Sequence, residues 1–105
     1  MNTIFAQNLQ SLPEVGHIHA LELLDTKQQV LATIANQPGS AGSVRVYAAL
    51  AAEFGCINAL AAERGLALYA EHTEDARLHP GKHPNIDRLL AIRNTDSCLW
   101  VRPLC

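Results

Sequence analysis

Residues 71–87 concentrate the side chains that can move protons or hold ions. The stretch Glu71-His72-Thr73-Glu74-Asp75-Ala76-Arg77-Leu78-His79-Pro80-Gly81-Lys82-His83-Pro84-Asn85-Ile86-Asp87 holds three of the chain's 5 histidines and four of its 10 acids. Imidazole titrates near neutral pH, so a histidine beside a carboxylate suits acid–base work. His72 with Glu74 or Asp75 is the candidate pair. Histidine and carboxylate together also suit zinc or another divalent transition metal. The alternative ligand set is therefore His72, His79, His83 and Asp75, with Glu74. Pro80 and Gly81 interrupt any helix that would align His79 with His83. The Asp75–His79 spacing suits an ordinary helical ion pair equally well. His17 and His19 would share one face of a strand, the geometry of a metal pair. The plain alternative for the whole stretch is a solvated, structured turn.

A second segment has anion-binding character. Gly39, Ser40, Gly42 and Ser43 run into a predicted helix with Arg45 in its first turn. Unpaired N–H groups and the dipole at a helix start attract phosphate or carboxylate. Arg45 adds a bidentate donor. The pattern lacks the Gly-Lys-Ser/Thr ending of a Walker loop. It also lacks the glycine spacing of a dinucleotide-binding turn. Asn36-Gln37-Pro38-Gly39-Ser40-Ala41 is similar in frame to the pyrophosphate turn of small α/β acetyltransferases. Asn36 stands where those enzymes carry Gln or Arg, and Pro38 removes a backbone donor. No cofactor is assigned. The plain alternative is a loop in which Ser43 caps the next helix.

These two segments need a scaffold. Ile4–Leu12 has weak helical spacing and Pro13 ends it. His17–Leu24 and Gln29–Ala35 read as strands joined by the polar Asp25–Gln28, an antiparallel hairpin. Val46, Tyr47, Leu50, Ala51 and Phe54 recur at helical spacing. The run Ala49–Gly55 is echoed by Ala59–Gly65, which predicts two short helices, each stopped by its glycine. Leu66–Glu71 reads as a strand, although Leu66, Tyr69, Ala70 and Thr73 also make one helical face. A helix starts at Thr73 and must end before Pro80, and another starts near Asn85. Ser97–Leu104 is a last strand, with Pro103 marking an edge. The expected class is α+β: a small antiparallel or mixed sheet of about four strands, with helices packed on one face.

Composition narrows the options. At 105 residues the chain is one domain, residues 1–105. With 49% hydrophobic and 17% charged residues it folds and is not intrinsically disordered. A net charge of −2 lacks the clustered positive field that nucleic acid requires. No apolar run approaches the roughly 20 residues that span a bilayer. Met1–Asn8 has no basic leader, so a cytoplasmic location is expected. Cys56, Cys98 and Cys105 are odd in number and lack Cys-x-x-Cys spacing. Neither a disulfide framework nor a zinc knuckle is expected, Cys98 packing as a small hydrophobe and Cys105 lying exposed.

The segments Asn36–Tyr47, Glu71–Arg77 and Pro80–Leu90 carry a resemblance that extends over nearly the whole chain. The chain resembles a family of small uncharacterised bacterial proteins, a domain of unknown function. That resemblance implies a bacterial, stand-alone single domain and implies no activity. The favoured expectation is a ligand-binding domain in which the two segments face one cleft and hold a small anionic molecule. Its site residues are Gly39, Ser40, Gly42, Ser43, Arg45, His72, Glu74, Asp75 and His83. The alternatives are the metal site above and a homo-oligomeric or adaptor module without catalysis, pairing through an edge strand.

Overall fold

The structure, a computed structural model, describes residues 4–105; Met1, Asn2 and Thr3, part of the segment read for a leader, lie outside the described residues. The chain runs α1 (Ile4–Gln10), β1 (Ala20–Leu24), β2 (Val30–Ala35), α2 (Ala41–Phe54), α3 (Ala59–Tyr69), α4 (Glu71–Leu78), α5 (Pro84–Ile92), β3 (Trp100–Leu104). The class is α+β as expected, but among the described residues the sheet has three antiparallel strands in the order β2-β1-β3, not four.

The hairpin forms where the hydrophobic alternation places it. Asp25 Oδ1 accepts from the N–H groups of Lys27 and Gln29, closing the turn. Leu21 and Leu23 point inward with no exposed surface, and Ile34 joins them from β2. Each such buried side chain contributes roughly 1.5–3 kcal/mol. The opposite face carries the Glu22–Arg102 ion pair, in which two guanidinium N–H groups converge on one carboxylate oxygen at 2.6–2.7 Å. β3 adds to the other side of β1, with Pro103 opposite Leu21 on an edge strand. His17 and His19 precede β1 instead of lying in it, so the expected strand pair does not form.

The missing strand is helix. Residues 66–71 continue α3 to Tyr69 and then enter α4. Leu66, Leu68, Tyr69 and Thr73 are buried, largely the helical face noted in the sequence. The second glycine of the echo explains why. Gly55 does end α2, at φ +83°. Gly65 sits in the middle of α3, where a Cβ would lie 2.7 Å from Leu89 Cδ1 and 2.9 Å from Leu50 Cδ1. It is the point at which α2, α3 and α5 close on one another. α3 starts at Asn58, whose side chain accepts from Ala61 N–H, and stops at Ala70, φ +52°. Thr73 Oγ1 donates to Leu66 O across that break, 2.7 Å. α4 therefore begins at Glu71, two residues before the expected Thr73.

Two further expectations are corrected. α2 begins at Ala41 with Ser40 at the N-cap, so Ser43 lies inside the first turn and is not the cap. Cys56 and Cys98 form a disulfide, with Cα atoms 6.2 Å apart, and only Cys105 is free and exposed. Linear spacing hides this pairing, because the Ile57–Leu99 bridge brings the two segments together through space. Among the described residues no helix is long and apolar enough to cross a membrane.

Two measurements test this packing. Gly65→Val should lower unfolding stability in urea by at least about 2 kcal/mol, since both opposing leucines are fully buried. Reduction with dithiothreitol should lower the melting temperature, by an amount corresponding to roughly 2–4 kcal/mol, because the disulfide closes a long loop. The Cys98→Ser protein should melt at the reduced temperature and ignore the reductant.

Candidate functional site

The turn after β2 and the start of α2 are built by side chains that turn back onto the backbone. Asn36 Nδ2 donates to Val15 O and Ile18 O at 3.0 and 2.7 Å. Gln37 O accepts from Ser40 N–H and Ala41 N–H. Ser40 places its hydroxyl on Ala35 O and makes no side-chain cap bond to α2. The N–H groups of Gly42 and Ser43, in the first helical turn, have no intrahelical acceptor to use. The bare Cα of Gly42 also matters: a Cβ there would stand 3.2 Å from Phe5 Cζ and 3.4 Å from Leu9 Cδ1. Glycine at this position lets α1 close on α2.

The opposite wall comes from α4, the 79–83 turn and the start of α5. Gly81, at φ +94°, reverses the chain, and Asp87 Oδ2 accepts from its N–H at 2.9 Å. Asp75 is the hub. Its Oδ2 accepts from His83 Nε2 at 2.6 Å and from Lys82 Nζ at 2.9 Å, with His79 Nε2 at 3.8 Å from Oδ1. The bond from His83, then that from Lys82, holds the Asp75 carboxyl down at about 2. An ionised carboxylate only accepts, so His83 carries its proton on Nε2, and in the neutral ring Nδ1 is the basic nitrogen. His72 takes Glu71 as its nearest carboxylate, 4.0 Å away, and not Glu74 or Asp75.

Between the two walls lies a cavity of about 410 Å³. Gly39, Ala41, Gly42 and Ser43 line one side; His72, Lys82 and His83 line the other. Phe5, Leu9, Tyr69, Pro84, Asn85 and Ile86 complete it. Tyr69 OH donates to Ser43 Oγ at 2.6 Å, and burial pushes the Tyr69 phenol well above its ordinary range. A phenol kept neutral keeps donating, so the Ser43 hydroxyl retains its own proton for another acceptor. Below, Tyr47 OH donates to Asn85 O; burial raises it to about 12 against the opposing pull of Arg88.

Five of the nine expected site residues thus share one cavity: Gly39, Gly42, Ser43, His72 and His83. Asp75 stands behind His83. Three are elsewhere. The Ser40 hydroxyl is engaged by Ala35 O. Arg45 donates to Leu12 O and Pro13 O, 2.7 and 3.2 Å, and fastens the α1–β1 linker. Glu74 pairs with Arg77 at 3.3 Å. Sequence reasoning missed Phe5, Leu9, Tyr69, Lys82 and Asn85. The first three carry an apolar signal read as packing, and only Lys82 stood in view beside His83 as a charged donor. For the metal alternative, no group of three or more His, Cys, Asp or Glu among the described residues is arranged to hold an ion.

A family described as an uncharacterized protein conserved in bacteria (DUF2322) matches residues 5–103. No curated protein and no solved structure matches the chain.

The Asp75 cluster has a pH signature. With its folded pKa depressed to about 2, Asp75 contributes stability that is fully present above its unfolded value near 4. That contribution is lost as pH falls through about 2. The stability difference between wild type and Asp75→Asn should therefore be constant from about pH 5 to 6 and shrink between about pH 4 and 2 in denaturant titrations.

Proposed function

We propose that this chain, which belongs to the bacterial family just described, binds a small anionic molecule in the cavity between the α2 N-terminus and the Asp75 cluster. The ligand bears a phosphate or a carboxylate. One observation carries the reading: the polar groups available to an occupant are mostly donors. Ser43 Oγ–H, the N–H groups of Gly42 and Ser43, and Lys82 Nζ all belong to lining residues. The nearby carboxylates are engaged by the protein: Asp75 is held by His83 and Lys82, and Glu71 accepts from Phe5 N–H at 3.0 Å beside His72. Oriented donors at a helix start, joined by an ammonium, favour negative charge. Phe5, Leu9 and Ile86 add apolar surface, as small-molecule sites usually do.

A second reading is favoured by the Asp75–His83 bond. A carboxylate that fixes the tautomer of an imidazole prepares that ring as a general base. The cavity would then hold a substrate whose developing charge meets the same donors. Neither reading uses a metal, a nucleic acid or a membrane. The proposal keeps residues 1–105 as one domain in the cytoplasm. In that reducing compartment the Cys56–Cys98 disulfide has to resist reduction to persist.

Inorganic phosphate and acetate, titrated into the wild-type protein, should raise the melting temperature. At 100 times its dissociation constant a ligand adds about 2.7 kcal/mol. Lys82→Met and Ser43→Ala should each weaken the effect severalfold, whereas Glu74→Gln, outside the cavity, should leave it unchanged. A melting temperature indifferent to both anions up to tens of millimolar would remove the proposal.

A further inference from the structure

We infer that the anion held in this cavity carries a planar aromatic ring directly beside its charged group. The inference rests on the anion-binding reading and names the class of ligand, an aryl phosphate, phosphonate or carboxylate.

Four rings run along the cavity wall in unbroken contact. Tyr69 and Phe5 stack, with centroids 5.2 Å apart and planes 19° from parallel. Phe5 meets His72 edge to face, at 5.0 Å and 89°. His72 lies 5.7 Å from His83 at a tilt of 53°. All four residues line the same cavity. The chain has only 2 Phe, 2 Tyr and 1 Trp, and builds its core mainly from aliphatic residues, with Tyr47 and Tyr69 buried among them. Two of those five rings, with two of the 5 histidines, are gathered here. Ring pairs prefer offset or edge-to-face contacts with centroids at about 4.5–7 Å, and an added planar ring continues such a series where a saturated ring does not.

The donors sit against this wall. Gly42 supplies an N–H, and its missing Cβ is what admits the Phe5 ring to within contact of the helix start. Ser43 Oγ is bonded to the hydroxyl of Tyr69, the ring stacked on Phe5. An occupant that uses the donors thus places whatever is bonded to its anionic group against aromatic surface. The volume of about 410 Å³ accommodates a single ring with its acid group.

The test compares methylphosphonate, cyclohexylphosphonate, phenylphosphonate and benzoate by calorimetric titration of the wild-type protein. Phenylphosphonate should bind about tenfold or more tighter than methylphosphonate. It should exceed cyclohexylphosphonate by about three- to tenfold. Benzoate, tested beside it, reports whether the carboxylate arm of the class is accepted at comparable affinity. Phe5→Leu keeps apolar bulk on α1 and should bring the phenyl-to-cyclohexyl ratio to about one while methylphosphonate binding is retained. Equal binding of the phenyl and cyclohexyl, or of the phenyl and methyl, compounds to the wild-type protein overturns the aromatic inference and leaves the anion site standing. Failure of all four to bind overturns the anion site, and the aromatic inference with it.

Discussion

Leu50 of α2 and Leu89 of α5 meet across a glycine. A Cβ on Gly65 would come within 3 Å of both side chains, so α3 approaches its neighbours as closely as a bare backbone allows. That approach decides more than local packing. It keeps residues 59–69 helical past a residue that elsewhere in this chain stops a helix. Tyr69 then arrives one turn further on, opposite Ser43, and α4 departs from Ala70 carrying His72 and Asp75 toward the 79–83 turn. Had the chain turned extended after Gly65, the rings and acids would have gone to a fourth strand. The cavity exists because helix packing won over a weak local preference.

The electrostatics of the cavity follow from where its acids are used. Asp75 is neutralised by His83 and Lys82, and Glu74 is taken by Arg77 outside the cavity. Donors whose partners lie within the protein, such as the Ser40 hydroxyl and the Arg45 guanidinium, hold the scaffold in place. Those in the first turn of α2, on Gly42 and Ser43, belong to residues that line the cavity and have no such backbone acceptor among the described residues. Tyr69 strengthens this arrangement by donating to Ser43 from a buried position, since hydrogen bonds in series polarise one another.

Periodic segments were legible in the sequence, and placements set by tertiary contact were not. The hairpin, the Gly55 stop, the helix from Pro84 and the edge position of Pro103 all follow from alternation, turn residues or proline chemistry acting over a few positions. Leu66–Glu71 was ambiguous because a short apolar run carries no decisive period. The glycines of the echo look alike in sequence, yet one has a left-handed φ and the other is squeezed between leucines. The two chemical segments were visible as segments. Their meeting depends on α3 and α4, and so does the choice of His83 over His72 as the partner of Asp75. Cys56 and Cys98 escaped for the same reason, being joined by a bridge between distant residues.

The outer strands of the small sheet are unlike its centre. β3 carries Pro103, which offers no backbone donor, and Arg102 beside it. β2 takes an extra residue where Leu23 and Leu24 pair with Ala32 and Val30. A missing donor and a bulge both interrupt the regular ladder that an incoming strand would copy. Apolar residues do lie exposed nearby, among them Val30, Leu31 and Trp100. A bulge on one margin and a missing donor on the other work against the addition of a further strand beside that apolar surface.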